Sequence, residues 1–528
     1  MFLVASVAVV VGSCSDNSSS SAPSAPDIAA PATTVPGSTT STEVPIELPG
    51  DPFTLGVASG DPDETSVILW TRLAPDPLAD GGMPDRDVPV TWEVSSDEGF
   101  ATVHKTGTEV ATVAHGHTVH ALAEIGPGDW FYRFRVGIYT SRVGATHASP
   151  SAASPTTSVR FASASCQNYE DGFYTAHADI VEQKPEFVMW LGDYIYEGGA
   201  GEIGVDGAAR SHGAPEPTTL IEYRDRYALY KLDANLQAAH ATCPWFVIWD
   251  DHEVENNYAS RDPQDPADAT TFAERRFEAY QAWWENMPVR LDPPASVDSD
   301  FKIYRNVAWG DLLGITLLDT RQYRTDQACG DVKLSADPAC PETFDTERTL
   351  TGANQEQFIY DSVGTLGTVW NVIGQQLVMS DVTLNGAVLN YDQWDGYPGS
   401  RQRLLAHLAD GAVPNVVVLS GDIHLAGVGQ LRNGAPGIGA PVGVEFVATS
   451  VSSSGNVDQS LAAVLAGFPD IIDAELAHRG YILHTVTPDE WIADYRIIED
   501  VLAVESVVTT YKTFTVIAGT NTIDDPLA

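Results

Sequence analysis

From Ser158 onward the chain repeats one device: a short apolar run that stops at a polar side chain. The runs are "VRFASASC", "FVMWLGD", "WFVIWDD", "LLGITLLDT", "VWNVIGQQ" and "NVVVLSGDIH", with helical or loop segments between them. Runs that are continuously apolar, rather than alternating, read as strands buried on both faces, and strands alternating with helical segments fold into a layered α/β domain. In such sheets the carboxyl ends of the strands border a concave edge where chemistry collects. The pattern therefore predicts that Cys166, Asp193 with Tyr196, the "DDHE" run from Asp250 to Glu253 with Asn256, and Asp422 with His424 meet along one edge.

The stretch before it has a different texture. Residues 51–158 carry "TSVILWTRL", "VPVTWEVS" and "WFYRFRVG", separated by Pro, Gly and Asp. Period-two alternation with frequent turns predicts an antiparallel β-sandwich. The fold class expected is thus α/β, a layered catalytic domain over 159–528 preceded by a small antiparallel β-sandwich over 51–158. His115, His117 and His120 in "HGHTVH" read as a solvated strand rather than a metal site. The segment after Trp491 is a candidate lid over the site.

At the start, "FLVASVAVVV" is too short to span a bilayer and reads, over residues 1–14, as an export segment. The following "VGSC" resembles a bacterial lipobox with Cys14 as the acylated residue. Residues 15–48 are rich in Ser, Pro, Thr and Ala, with almost no large apolar side chain, and read as a flexible tether. Any membrane contact is expected only through a lipid anchor at Cys14. Export favours disulfides. Cys329 and Cys340 flank a polar loop and are expected to bridge, whereas Cys166 is either a metal ligand or the partner of Cys243.

Composition removes one class of function. With 28 Lys plus Arg against 72 Asp plus Glu, the formal net charge is -44, which opposes non-specific nucleic-acid binding. The gathered strand ends point elsewhere. A thiol, a phenol, an imidazole and several carboxylates together can hold two or more cations, hard oxygen ligands suiting calcium or magnesium and the softer mixed set suiting a transition metal. No P-loop and no GxSxG elbow accompanies them.

These residues carry a resemblance. "GDxxY", "WDDHE" and "SGDIH" resemble metallophosphoesterase motifs, and with "SCQ", "NYDQWDGYPGSRQRLL" and "LLDTRQYR" the chain is similar to the alkaline phosphatase D (PhoD) family. The resemblance implies an exported, calcium-dependent phosphatase that also uses Fe3+ and acts on phosphate monoesters and often diesters. No twin-arginine pair precedes the apolar stretch, a departure from the family's export habit. By the same resemblance Asp193 bridges two ions. Tyr196, Cys166 and His424 serve ferric iron, and Asp193, Asp251 and Asp422, with Asn256 as an additional candidate, serve Ca2+. A further calcium ion is implied without assigned ligands. His252 corresponds to the histidine that faces the substrate and stabilises or protonates the leaving group. Tyr194 and Glu197 read as packing or supporting groups. Arg226 and Arg321 are candidates to clamp phosphate through their forked donors, or else members of structural ion pairs. Two other functions fit the motifs: a phospholipase-like phosphodiesterase on the same metal site, and a surface lipoprotein that binds calcium without catalysis.

Overall fold

The computed structural model describes residues 47–202, 208–330, 338–383, 386–455 and 461–524. The export segment, Cys14 and nearly all of the tether lie outside these residues.

Two sheets form the centre. The ten-stranded one is built around three parallel neighbours, Val159–Ala164, Phe187–Trp190 and Trp245–Val247, in the register Phe187 to Phe161 and Val188 to Trp245. The seven-stranded one contains four parallel neighbours, Leu313–Leu317, Trp370–Gly374, Val416–Ser420 and Pro441–Val447. The reason these strands are apolar throughout lies in where successive side chains go. Val417 and Leu419 join the core shared by both sheets, while Val416 and Val418 pack with Leu404, Leu405 and Leu408 of the helix Pro398–Asp410. A strand covered on both faces has no side to leave polar. Phe187 of the first sheet meets Trp309 of the second with ring centroids 4.7 Å apart.

All seven parallel strands point their carboxyl ends the same way, and the sheets meet there. Ser165 forms a parallel bridge with Ser450, and the Val451 N–H donates to the Ser165 carbonyl at 2.9 Å. That seam carries the polar run ends.

The amino-terminal sandwich is not a separate body. One of its sheets comprises Val103–Ala111, Val88–Ser95, Trp130–Val136 and the short strands Tyr139–Thr140 and Gly144–Thr146. The opposing strands, Ala58–Gly60, Ser66–Arg72 and Thr118–Glu124, belong to the ten-stranded sheet, where Gly60 pairs in parallel with Trp245. Val67, Leu69 and Val119 share a core with Val90, Val94 and Phe134. The expected boundary at 158 is therefore crossed by a continuous sheet, which leaves the strand Trp245–Val247 paired on both sides instead of exposed as an edge. Gly60 is required at the crossing, since a Cβ there would lie 2.1 Å from the Pro288 carbonyl oxygen.

Two expectations need correction, and one open alternative is settled. His117 and His120 of "HGHTVH" are not solvated: His120 Nε2 lies 2.8 Å from the Met287 carbonyl and its ring stacks on Trp284 at 4.4 Å, while His117 Nε2 meets the Arg86 carbonyl at 2.9 Å. The chain after Trp491 is no lid, because Glu490–Ile498 and Val508–Ile517 extend the ten-stranded sheet beside Arg479–Val486. Cys166 and Cys243 are both free and buried, so they do not pair. The Cys329–Cys340 disulfide is present, with Cα atoms 5.9 Å apart.

Candidate metal centre

Three of the strands that reach the seam are followed directly by residues in left-handed conformation. Cys166, Asp193, Asp422 and His424 all adopt left-handed backbone conformations, with φ of 60°, 54°, 65° and 56°. For non-glycine residues this costs on the order of 1–3 kcal/mol each, and such strain persists where the surroundings enforce it, most often at functional sites. The glycine before each aspartate allows the turns to approach. A Cβ on Gly192 would lie 2.5 Å from Asp250 Cβ, and one on Gly421 would lie 2.3 Å from Ser165 Oγ. Glu253 ties two of the turns together, accepting from the backbone N–H of Asp250 at 2.7 Å, of Asp193 at 3.1 Å and of Tyr194.

The side chains converge into overlapping donor groups. Cys166, Asp193 and His424 form one, Asp193, Asp251 and His252 a second, and Asp250, Asp251 and Asp422 a third, with donor atoms in each lying within 4.8 Å of one another. Asp193 belongs to the first two. The Tyr196 hydroxyl lies 2.9 Å from Asp193 Oδ2 and 2.9 Å from His424 Nε2, which places it in the first group as well. His424 Nδ1–H donates to the Ser454 carbonyl at 2.6 Å, so its Nε2 lone pair faces the cluster.

The electrostatics of this arrangement ask for cations. Asp193 Oδ1 and Asp251 Oδ1 are buried without a hydrogen-bond partner, in a protein whose buried polar atoms are mostly satisfied. Burial, reinforced by Asp251, Glu253 and Asp422, pushes the Asp193 carboxyl well above the usual carboxylate range. Burial also raises the Cys166 thiol and the Tyr196 phenol, each further raised by Asp193. It brings Asp422 up to about 6 and His424 down to about 3. A bound cation reverses the penalty on every anionic donor at once.

His252 sits at the rim, its ring stacked on Tyr196 at 4.1 Å. Its Nδ1 lies 2.6 Å from Glu197 Oε2, and Glu197 Oε1 accepts from the Asn256 N–H at 2.7 Å. Burial alone would disfavour the imidazolium, but Glu197, then Asp251 and Asp193, hold the His252 pKa well above its ordinary value. Glu197 thus orients the ring and keeps it charged, a larger part than packing.

Three other candidates are placed elsewhere. The Asn256 side chain donates to Gln264 Oε1 at 2.7 Å, away from the donor groups, and it is the backbone N–H of Asn257 that reaches Asp251 Oδ2, at 2.6 Å. Arg226 braces the loop after Tyr196, donating to the carbonyls of Tyr196, Gly198 and Pro215. Arg321 is fully buried beneath the cluster, where its guanidinium pairs with Asp250, Asp251, Asp392 and Asp422. With its donors turned to carboxylates, a role as phosphate clamp does not fit its geometry. Sequence reasoning also passed over Asp392 and Gln393. Asp392 accepts from Arg321 and Arg324, and Gln393 Nε2 donates to Asp422 Oδ2 at 2.6 Å. Their signal was the polar pair inside "NYDQW".

Comparison with known proteins finds relatives along most of the chain. The family model for the PhoD-like phosphatase matches residues 161–495, and that for the PhoD-like phosphatase N-terminal domain matches residues 39–150. Alkaline phosphatase D of Bacillus subtilis (strain 168) is 42% identical over 473 residues, spanning 88% of this chain and 80% of that protein. A solved structure of PhoD superposes with a TM-score of 0.85 at 40% identity, covering 90% of this chain and 92% of its own.

Proposed function

The chain belongs to the PhoD-like phosphatase family and is a phosphoric ester hydrolase of that kind, and on that premise we propose that it hydrolyses phosphate monoesters and diesters at a centre of iron and calcium. The residues that would hold Fe3+ are Cys166, Asp193, Tyr196 and His424, and those that would hold Ca2+ are Asp193, Asp251 and Asp422. When bound, such ions neutralise charge on the phosphate and lower the pKa of water so that it attacks near neutral to alkaline pH.

The protein's own groups supply the rest. Asp193 offers two oxygens to two donor groups, one beside Tyr196 and one without a partner. That single side chain carries the proposal, because a buried, unpartnered carboxylate oxygen in a cluster of anions is costly to ionise unless a cation lies beside it. Arg321 offsets part of the negative charge from below without occupying the donor atoms of Asp193. His252, held through Nδ1 by Glu197, has Nε2 left to donate a proton to the departing oxygen.

The same reading puts the protein outside the cytoplasm, attached through Cys14. The central test is metal analysis of the purified protein alongside hydrolysis of one monoester and one diester, before and after chelation. Undiminished hydrolysis in excess chelator, with no ion retained, would remove the metal role.

A further inference from the structure

The arginine of "YRDRY", turned away from phosphate, lies on a helix whose other buried polar contacts share one target. The helix Leu220–Lys231 opens on a capping box, Thr219 with Glu222. It presents Tyr223, Arg226 and Tyr230 on one face, because positions three and seven apart in an α-helix lie on the same side. All three are buried. A buried hydroxyl or guanidinium has to place its donors on protein atoms, so the partners show what such a face holds.

The partners are the two segments that carry Glu197 and His252. On the Glu197 side, the Tyr230 hydroxyl oxygen accepts the Tyr196 N–H at 3.0 Å and the Tyr169 N–H at 3.2 Å. Its one proton then goes to His212 Nε2 at 3.0 Å, which leaves Nδ1–H of that ring to donate to the Gly198 carbonyl at 3.0 Å. Burial, reinforced by Arg226, brings the His212 pKa down to about 4, so the neutral ring offers one donor and one acceptor. Arg226 donates to the carbonyls of Tyr196 and Gly198. On the His252 side, the Tyr223 hydroxyl donates to the Val254 carbonyl at 2.5 Å.

The backbone flanking Glu197 is therefore fixed at the Tyr196 N–H, the Tyr196 carbonyl and the Gly198 carbonyl. Its carboxylate is left to hold His252 Nδ1 at 2.6 Å and the Asn256 N–H at 2.7 Å. The two segments follow different strands, Phe187–Trp190 and Trp245–Val247, and one helix face sets the distance between them. Tyr223, Arg226 and Tyr230 belong to none of the three donor groups. Tyr230 does border Tyr196, so an effect on proton transfer has to be separated from one on metal binding.

We propose that Tyr223, Arg226 and Tyr230 are positioning residues for proton transfer: their helix face holds Glu197, and through it His252, where Nε2 reaches the departing oxygen, and matters most for esters whose leaving group needs a proton. This rests on the reading of His252 as the proton donor. The test uses the full chain, loaded with its ions, and compares phenyl phosphate, whose leaving group is basic, with p-nitrophenyl phosphate, whose leaving group departs without a proton. Because misplacing a catalytic group by about 1 Å costs on the order of a hundredfold, Tyr230→Phe should lower kcat for phenyl phosphate about tenfold to a hundredfold. KM and bound metal should be unchanged, with p-nitrophenyl phosphate turnover within about twofold of native. Combined with Glu197→Gln, the substitution should add little, since both act on one ring. Equal losses on the two esters, or losses that multiply in the double variant, overturn the proposal. If Tyr230→Phe does not fold, His212→Gln, which breaks the contact to Gly198, repeats the comparison with the same two outcomes. His252→Ala tests the premise separately. A loss equal on both esters removes the proton-donor reading and the proposal with it, whereas a loss confined to phenyl phosphate, beside an unselective Tyr230→Phe, overturns the positioning role alone.

Discussion

Removing one oxygen atom, by Tyr196→Phe, separates a ligand from a packing residue. Tyr196 is 1% exposed, and its ring stacks on His252 with centroids 4.1 Å apart, so the phenylalanine ring should keep the same place without opening a cavity. What is lost is the hydroxyl between Asp193 Oδ2 and His424 Nε2, 2.9 Å from each. In chelated protein, leaving those buried atoms unpartnered should cost about 1–3 kcal/mol, read as a lower urea midpoint at unchanged m-value. In iron-loaded protein the larger effect is spectroscopic. A phenolate on ferric iron absorbs visible light by charge transfer, so the native protein should be coloured, and the variant bleached or shifted with its far-ultraviolet dichroism intact. Iron retention should fall by about tenfold for each 1.4 kcal/mol of ligation lost. A native protein that holds iron and keeps an identical visible spectrum after Tyr196→Phe would show that the phenol packs and does not ligate. Native protein that binds no iron would remove the ferric assignment altogether.

Other consequences are quicker to state. Arg321→Met leaves Asp250, Asp251, Asp392 and Asp422 without their shared cation, which should destabilise chelated protein by about 3–5 kcal/mol in urea unfolding; an unchanged midpoint would contradict the placement. His484 is buried and accepts the Trp491 indole N–H on Nδ1 at 3.0 Å, and burial lowers its pKa to about 3. The stability it contributes is complete above its unfolded pKa of about 6.5 and declines by up to about 1.4 kcal/mol per pH unit as pH falls toward 3, so His484→Gln should shallow the acid limb of a stability profile. Cys14→Ser should shift the expressed protein from the membrane to the soluble fraction, and unchanged partition would show that the cysteine anchors nothing.

The strand ends were legible in the sequence because two periodicities agree there. A run apolar at every position excludes an open strand face, and a polar residue directly after it has nowhere to go but the sheet's edge. Cys166, Asp193, Asp251, Asp422 and His424 could be gathered on that ground alone. The direction of a long side chain could not. Arg321 follows its strand closely whether it reaches outward to a phosphate or inward among carboxylates, and what turns it inward is the pair Asp392 and Asp422, supplied by distant segments. Asn256 and Asn257 illustrate the same limit at a spacing of one residue, since a turn decides which of them reaches Asp251. The pairing of the sandwich's second sheet was out of reach for a different reason: alternation identifies a half-buried strand but not its partner, and the pairing of Gly60 with Trp245 joins positions far apart in the chain.

The glycines show how spacing between ligands is set by residues that hold nothing. Asp193 and Asp422 can approach the neighbouring turns because Gly192 and Gly421 bring no Cβ into contact with Asp250 and Ser165. A methyl group at either place would push one turn from another and change the spacing of the donor groups, with no donor residue changed. In "GDxxY" and "SGDIH" the aspartate thus supplies the oxygen atoms, and the preceding glycine decides whether they arrive within reach of Tyr196, Asp251 and His424. Distance, set by packing across the seam between the two sheets, is what turns a row of separate strand ends into one centre.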